Sequence, residues 1–186
     1  MIALEFGTTF TCNIPNPNFY LDPKNYPQLA SPPENYFTTF KADVQPWRER
    51  PILTSEECSL FNSIVDLPTH LRVEWGAVLF SKGNSMPPHL DTDGDDIYKA
   101  MAKILIWVTP DYFEGRELVV GDIQDPLPNV FGYSWDDPKL IERQRIKPKT
   151  GLGYILDISN PNMYHAVTEL TSDSPVATIL GVVVPS

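Results

Sequence analysis

Residues 101 to 108 read MAKILIWV, an apolar run that stops at Thr109-Pro110. The run is long enough for a strand and short for a helix, and its β-branched and aromatic members favour the strand. Lys103 is the anomaly inside it. A lysine in such a place either snorkels its amine to water or meets a buried acid.

Working outward, the same signature recurs. LRVEWGAVLF (71–80) predicts a strand, or a strand pair with a bend at Gly76; RELVV (116–120) and GYILDI (153–158) predict two more. A short strand around His165 (164–169) and PVATILGVVV (175–184) complete the set. Short strands separated by turn signals, in a chain of 186 residues with 19 prolines, predict a mainly β fold, a sandwich or jelly roll, with a few flanking helices. The clearest helix is predicted over 54–66, where TSEECSLFNSIV sets Thr54 and Glu57 as a capping box and repeats Leu60, Phe61 and Ile64 at helical spacing. The length predicts a single domain, 1–186, with its core over 71–184. Residues 1–53 carry prolines among Phe19, Tyr20, Tyr26, Tyr36, Phe37, Phe40 and Trp47, which predicts an extended segment wrapping the core. The polar, proline-punctuated stretch 125–148 reads as a loop insert.

A net charge of -10 argues against nucleic acid and against an anionic membrane surface. No stretch approaches membrane-helix length, and the opening MIALEFGTTF lacks the features of a secretory leader. Cys12 and Cys58, the two cysteines, are expected as free thiols in a cytoplasmic protein.

Chemistry concentrates at PPHLDTDGDD (87–96). Residues i and i+2 of a strand face the same way, so His89 and Asp91 aim an imidazole and a carboxylate at one point. His70 reads as an ordinary surface histidine; His165, just after a well-formed strand, is the candidate for a third ligand. Two histidines and one carboxylate with open positions opposite form the facial triad of non-haem Fe(II) oxygenases. A calcium loop starting at Asp91 fails, because Asp96 and Ala102 stand where Gly and Glu are required. No HExxH occurs. Asp93, Asp95 and Asp96 read as a solvated turn, with a place at the site mouth facing a cationic substrate as the other reading.

The order PPHLDTD, EGRELVVGD, GYILDISN and HAVTEL resembles the Fe(II)/2-oxoglutarate-dependent dioxygenase superfamily, closest to its prolyl-hydroxylase-like branch, over about residues 71–184. The resemblance implies a double-stranded β-helix (cupin-like), with His89, Asp91 and His165 as Fe(II) ligands and O2 and 2-oxoglutarate as co-substrates. It implies hydroxylation of an unactivated C–H, with 2-oxoglutarate converted to succinate and CO2. The substrate is expected to be a small molecule, an amino acid or a peptidyl residue; oligomeric state is not readable.

One departure stands out. Many members anchor the far carboxylate of 2-oxoglutarate on a basic residue after the second histidine, whereas Lys149 is the last basic residue here. Lys103 is the first candidate anchor, since some branches use a lysine on the strand after their HxD/E motif. Arg116, standing in place of the second Gly of the usual Gly-Gly-Glu-Leu, is next, and Arg72 third; Tyr154 and Thr178 are candidate hydroxyl donors to the same carboxylate. Two rival readings remain: an Fe(II) oxygenase or oxidase of the same barrel that does not use 2-oxoglutarate, and a non-catalytic binding module.

Overall fold

The computed structural model describes residues 2–30, 47–50, 52–91, 100–126, 133, 140–160 and 162–186. Their strands are β1 (Ile2–Ala3), β2 (Thr9–Thr11), β3 (Gln28–Ala30), β4 (Trp47–Arg50), β5 (Val65–Asp66), β6 (Leu71–Phe80), β7 (Met86–His89), β8 (Ala102–Val108), β9 (Leu118–Ile123), β10 (Leu140–Ile146), β11 (Leu152–Asp157), β12 (Tyr164–Val167) and β13 (Val176–Pro185). Two short helices, α1 (Pro17–Leu21) and α2 (Ser55–Asn62), lie outside the sheets. One sheet runs β2-β11-β8-β13-β6-β4-β3 and a second runs β10-β9-β12-β7. All pairings within both sheets are antiparallel. The fold is the expected mainly β jelly roll.

The inner strand β8 of the large sheet is covered on both faces, which explains the unbroken apolar run at 101–108. Ala102, Ile104, Ile106 and Val108 of β8 face a core shared with Tyr20, Phe61 and Trp75. Lys103, Leu105 and Trp107 point the other way, into a cavity between the two sheets. The neighbours keep step: Ala177 and Ile179 of β13, like Ala77 and Leu79 of β6, join that core, whereas Thr178, Leu180, Val78 and Phe80 line the cavity. Lys103 therefore belongs to the inner wall of the barrel. Gly181 makes the core face possible, because a Cβ there would lie 2.6 Å from the Trp75 ring.

Several boundaries differ from the sequence reading. The helix expected over 54–66 ends at Asn62, since Val65–Asp66 pairs in parallel with Ile2–Ala3. β6 passes through Gly76 without a bend, opposite Leu180. Part of the expected loop insert 125–148 is strand β10, antiparallel to β9. This edge strand escaped notice because charged residues hold its outer surface: Arg143 pairs with Asp122, and Arg145 with Glu117 and Glu142. The segment 1–53 does bury Tyr20 and Tyr26, yet it also extends the large sheet at both edges through β2, β3 and β4. Tyr36, Phe37 and Phe40, together with the Trp47 ring, lie outside what is described. No helix among the described residues is long and apolar enough to cross a membrane.

Glu57 ties the N-terminal segment to α2. The predicted capping box is present, and the same carboxylate takes both Nη1 (3.0 Å) and Nη2 (2.7 Å) of Arg50 and the Tyr20 hydroxyl (2.9 Å). Burial alone would raise its pKa; the bonds from Arg50, Thr54 and Tyr20 outweigh it and hold the carboxyl at about 2. A carboxyl depressed in the folded state adds stability above its unfolded pKa and loses it as pH falls. Glu57→Gln is expected to cost roughly 2 kcal/mol near neutrality. It should also flatten the acid limb of the stability profile between pH 4.5 and 2, as read by denaturant melts across that window.

Candidate metal centre and its cavity

Strands β7 and β12 are antiparallel neighbours, and His89 stands directly opposite His165. Their ring centroids are 4.2 Å apart. β7 is the outer strand of its sheet, where Pro87 and Pro88 are tolerated. The Pro87 carbonyl can only accept, so at 2.7 Å it fixes the His89 proton on Nδ1 and leaves Nε2 facing the site. Asp91 lies two residues beyond, past the end of the strand, with its side chain 3% exposed. Its Oδ1 is 3.7 Å from His89 Nε2 and its Oδ2 is 3.4 Å from His165 Nε2. One ligand atom from each of the three residues falls within 4.8 Å of the others.

The protonation states suit a cation. Burial pushes both imidazoles down, His165 to about 3. Burial alone would raise Asp91, but the Lys103 ammonium beside it outweighs that and holds the carboxyl well below the usual range. Two neutral imidazoles and one carboxylate are the forms that bind a metal without first losing protons. Asp91 Oδ2 is buried and has no hydrogen-bond partner among the described residues. Such an orphaned oxygen is costly unless something polar or charged meets it. This donor set fits Fe(II) or a similar divalent transition ion.

Asp91 and His165 line the cavity between the sheets, about 200 Å³ in volume, whose walls are mostly apolar. Among the described residues, two cationic side chains reach it. Lys103 Nζ lies 2.6 Å from Asp91 Oδ1, so this lysine meets a buried acid, one of the two outcomes its sequence context allows. Arg116 is 3% exposed, with its guanidinium 3.4 Å above the Phe80 ring centroid and Nη1 donating to Asn84 Oδ1 at 2.8 Å. No carboxylate among the described residues pairs with it, and burial alone lowers its pKa to about 9.

The backbone explains why Arg116 is there. Gly115 and Arg116 have φ of 82° and 60°, both in the left-handed region. Gly115 sits against the Glu169 carbonyl where a side chain has no room, and it bridges to Leu170. Arg116 occupies a conformation that glycine would adopt more easily, a local strain of the kind found at functional sites.

The other candidates divide. Thr178 lines the cavity and is buried. Tyr154 is buried beside it, but its hydroxyl donates to Gln144 Oε1 at 3.2 Å, and it is not among the lining residues. Arg72 lies outside the barrel, 59% exposed and paired with Glu74, because residue 72 falls near the open end of β6. Trp107 lines the cavity; Trp75 belongs to the other core and donates Nε1–H to Asn62. Tyr133 packs on Tyr164. His70 is exposed, and Cys12 and Cys58 are free thiols. Asp93, Asp95, Asp96 and Trp135 lie outside the described residues. Sequence reading missed Asn84, buried at 1% and bonded to Arg116; in SKGNSM it carries only a turn signal.

No family model matches the chain, and no curated protein matches it. Solved structures do resemble it in fold. A Pseudomonas putida prolyl-4-hydroxylase superposes with a TM-score of 0.53 at 13% identity, over 80% of this chain and 77% of that one. An oxidoreductase of the 2OG-Fe(II) oxygenase family from Burkholderia pseudomallei gives 0.50 at 12% identity, over 78% and 70%. EvdO2 from Micromonospora carbonacea var. aurantiaca gives 0.50 at 14% identity, over 88% and 78%. At these identities the likeness is one of fold: the chain shares their jelly-roll barrel.

Proposed function

We propose that this chain is a non-haem Fe(II)- and 2-oxoglutarate-dependent oxygenase that hydroxylates an unactivated C–H of a small molecule, amino acid or peptidyl residue in the cytoplasm. One observation carries the reading: Asp91 and His165 of a His-Asp-His cluster line the same cavity as a buried guanidinium that pairs with no acid among the described residues. His89, Asp91 and His165 would hold the metal from one side. Arg116, with the Thr178 hydroxyl, would receive the 5-carboxylate of 2-oxoglutarate. Bound Fe(II), with O2 and 2-oxoglutarate, supplies the oxidising power for C–H hydroxylation as 2-oxoglutarate becomes succinate and CO2.

The remaining work belongs to the chain. Arg116 orients the co-substrate by a bidentate, charge-assisted pair, and Phe80 and Asn84 keep its guanidinium plane fixed. The apolar walls, with Leu105, Trp107 and Leu118 among them, exclude water and strengthen that pair. Between the two cations, Lys103 is already committed to Asp91, so Arg116 is the better match for an incoming carboxylate.

Anaerobic titration with Fe(II), then 2-oxoglutarate, tests the proposal through the weak visible charge-transfer band of the chelated co-substrate. A saturable band supports the reading, and His89→Ala should abolish it. Iron binding without a band would favour an oxygenase or oxidase that does not use 2-oxoglutarate. Absence of iron binding would leave a binding module.

A further inference from the structure

Lys103 is paired with the very carboxylate that the proposed function assigns to the metal. Its Nζ sits 2.6 Å from Asp91 Oδ1, while Oδ2 of the same carboxylate faces His165 and has no hydrogen-bond donor among the described residues. The amine is held on the inner wall by strand register, since Lys103 lies between Leu156 of β11 and Val182 of β13. The lysine side chain is 27% exposed, whereas the aspartate is 3% exposed.

We infer that Lys103 is a positioning residue for the metal centre: an internal counter-ion that keeps Asp91 in place before the metal arrives and restricts it to one ligand oxygen afterwards. The inference rests on the metal-centre reading above. A buried carboxylate with neither metal nor cation would be costly, so the pair lets the empty site keep its shape. Once Oδ1 is held by the amine, Asp91 offers Oδ2 alone, and the positions opposite the triad stay open.

The sign of the effect is distinctive. Groups behind metal ligands are mostly carboxylates or carbonyls, which raise ligand basicity, and losing them weakens binding by about 10- to 100-fold. A cation does the reverse: it draws electron density from the carboxylate and repels the incoming ion. Lys103→Met should therefore bind Mn(II) or Fe(II) more tightly, by about 10-fold or more, while its metal-free form melts at a lower temperature than wild type. The rise in Tm on adding Mn(II) should be larger in Lys103→Met than in wild type. Lys103→Arg should restore wild-type behaviour in both.

The measurements are Mn(II) affinity by chelator competition and melting of metal-free and loaded protein, for wild type, Lys103→Met and Lys103→Arg. Tighter binding in Lys103→Met with rescue by arginine supports the inference. Equal or weaker binding in Lys103→Met overturns it, as does an equal drop in Tm with and without metal, which marks a purely structural lysine. A Lys103→Met chain that does not fold without Mn(II) but folds with it supports the inference; one that folds in neither condition overturns it. Wild-type protein that binds no metal at all would instead remove the metal-centre reading, and this inference with it.

Discussion

Arg116→Met is expected to raise the KM for 2-oxoglutarate by at least about 30-fold while leaving the metal-free protein as stable as wild type or more so. The first half follows from removing a desolvated cation that meets a carboxylate, a change that costs about 2–5 kcal/mol in binding when each tenfold is about 1.4 kcal/mol. The second half follows from the burial of Arg116 at 3% exposure with no acid beside it among the described residues. A buried charge without its partner weakens the fold, and a methionine, shorter but flexible and apolar, can fill part of the space against Phe80. Loss of one hydrogen bond to Asn84 offsets part of the gain. A residue that only held the fold together would give the opposite pattern, a lower Tm and an unchanged KM. Steady-state kinetics with thermal melts separates the two. An unchanged KM in Arg116→Met, with a raised one in Lys103→Met, would move the anchor to the lysine.

His165→Ala is expected to weaken Fe(II) and Mn(II) binding by more than the roughly 100-fold that marks changes behind the ligands. Its imidazole would supply one of three donors, and it faces His89 across the β7–β12 pair, with no other metal-ligating group in the cluster among the described residues. The readout is the metal-induced rise in Tm, which follows the ratio of metal concentration to Kd. At a concentration that saturates wild type the variant should show no rise. The metal-free variant should still fold, because β12 keeps its pairing with β9 through Tyr164, Ala166 and Val167. An undiminished shift in His165→Ala would mean that the ion sits elsewhere. Asp91→Ala should behave alike toward the metal, and it should also free the Lys103 amine.

Much of this was legible in the order of residues. A strand alternates its faces with period two, so the HxD spacing led to the expectation of an imidazole and a carboxylate at one point, and the two side chains do meet although Asp91 lies past the end of β7. The mainly β class followed from short strands and from the prolines that oppose helices. The capping box at Thr54 and Glu57 was likewise a local matter, set by spacing within one turn. The strand β10 was not legible, because an edge strand with Arg143, Arg145 and Glu142 on its open side reads as polar loop. The end of α2 was not legible either, since Val65–Asp66 is claimed by Ile2–Ala3, more than sixty residues away in the chain.

The division at the site is sharper. The sequence by itself determined which residue types were on hand: three histidines, an HxD, a lysine in an apolar strand and an arginine after a glycine. It also determined that Lys103 called for either an acid or water, because an ammonium group desolvated with neither is strongly disfavoured. Only the tertiary structure decided where each cation goes. Lys103 meets Asp91 because β8 sets it on the inner wall beside the end of β7, and Arg116 is left without an acid among the described residues because the turn at Gly115 sets it against Phe80. Arg72 leaves the contest because its position on β6 lies in solvent. Which charge meets which depends on distances between strands far apart in the chain, and sequence spacing does not encode them.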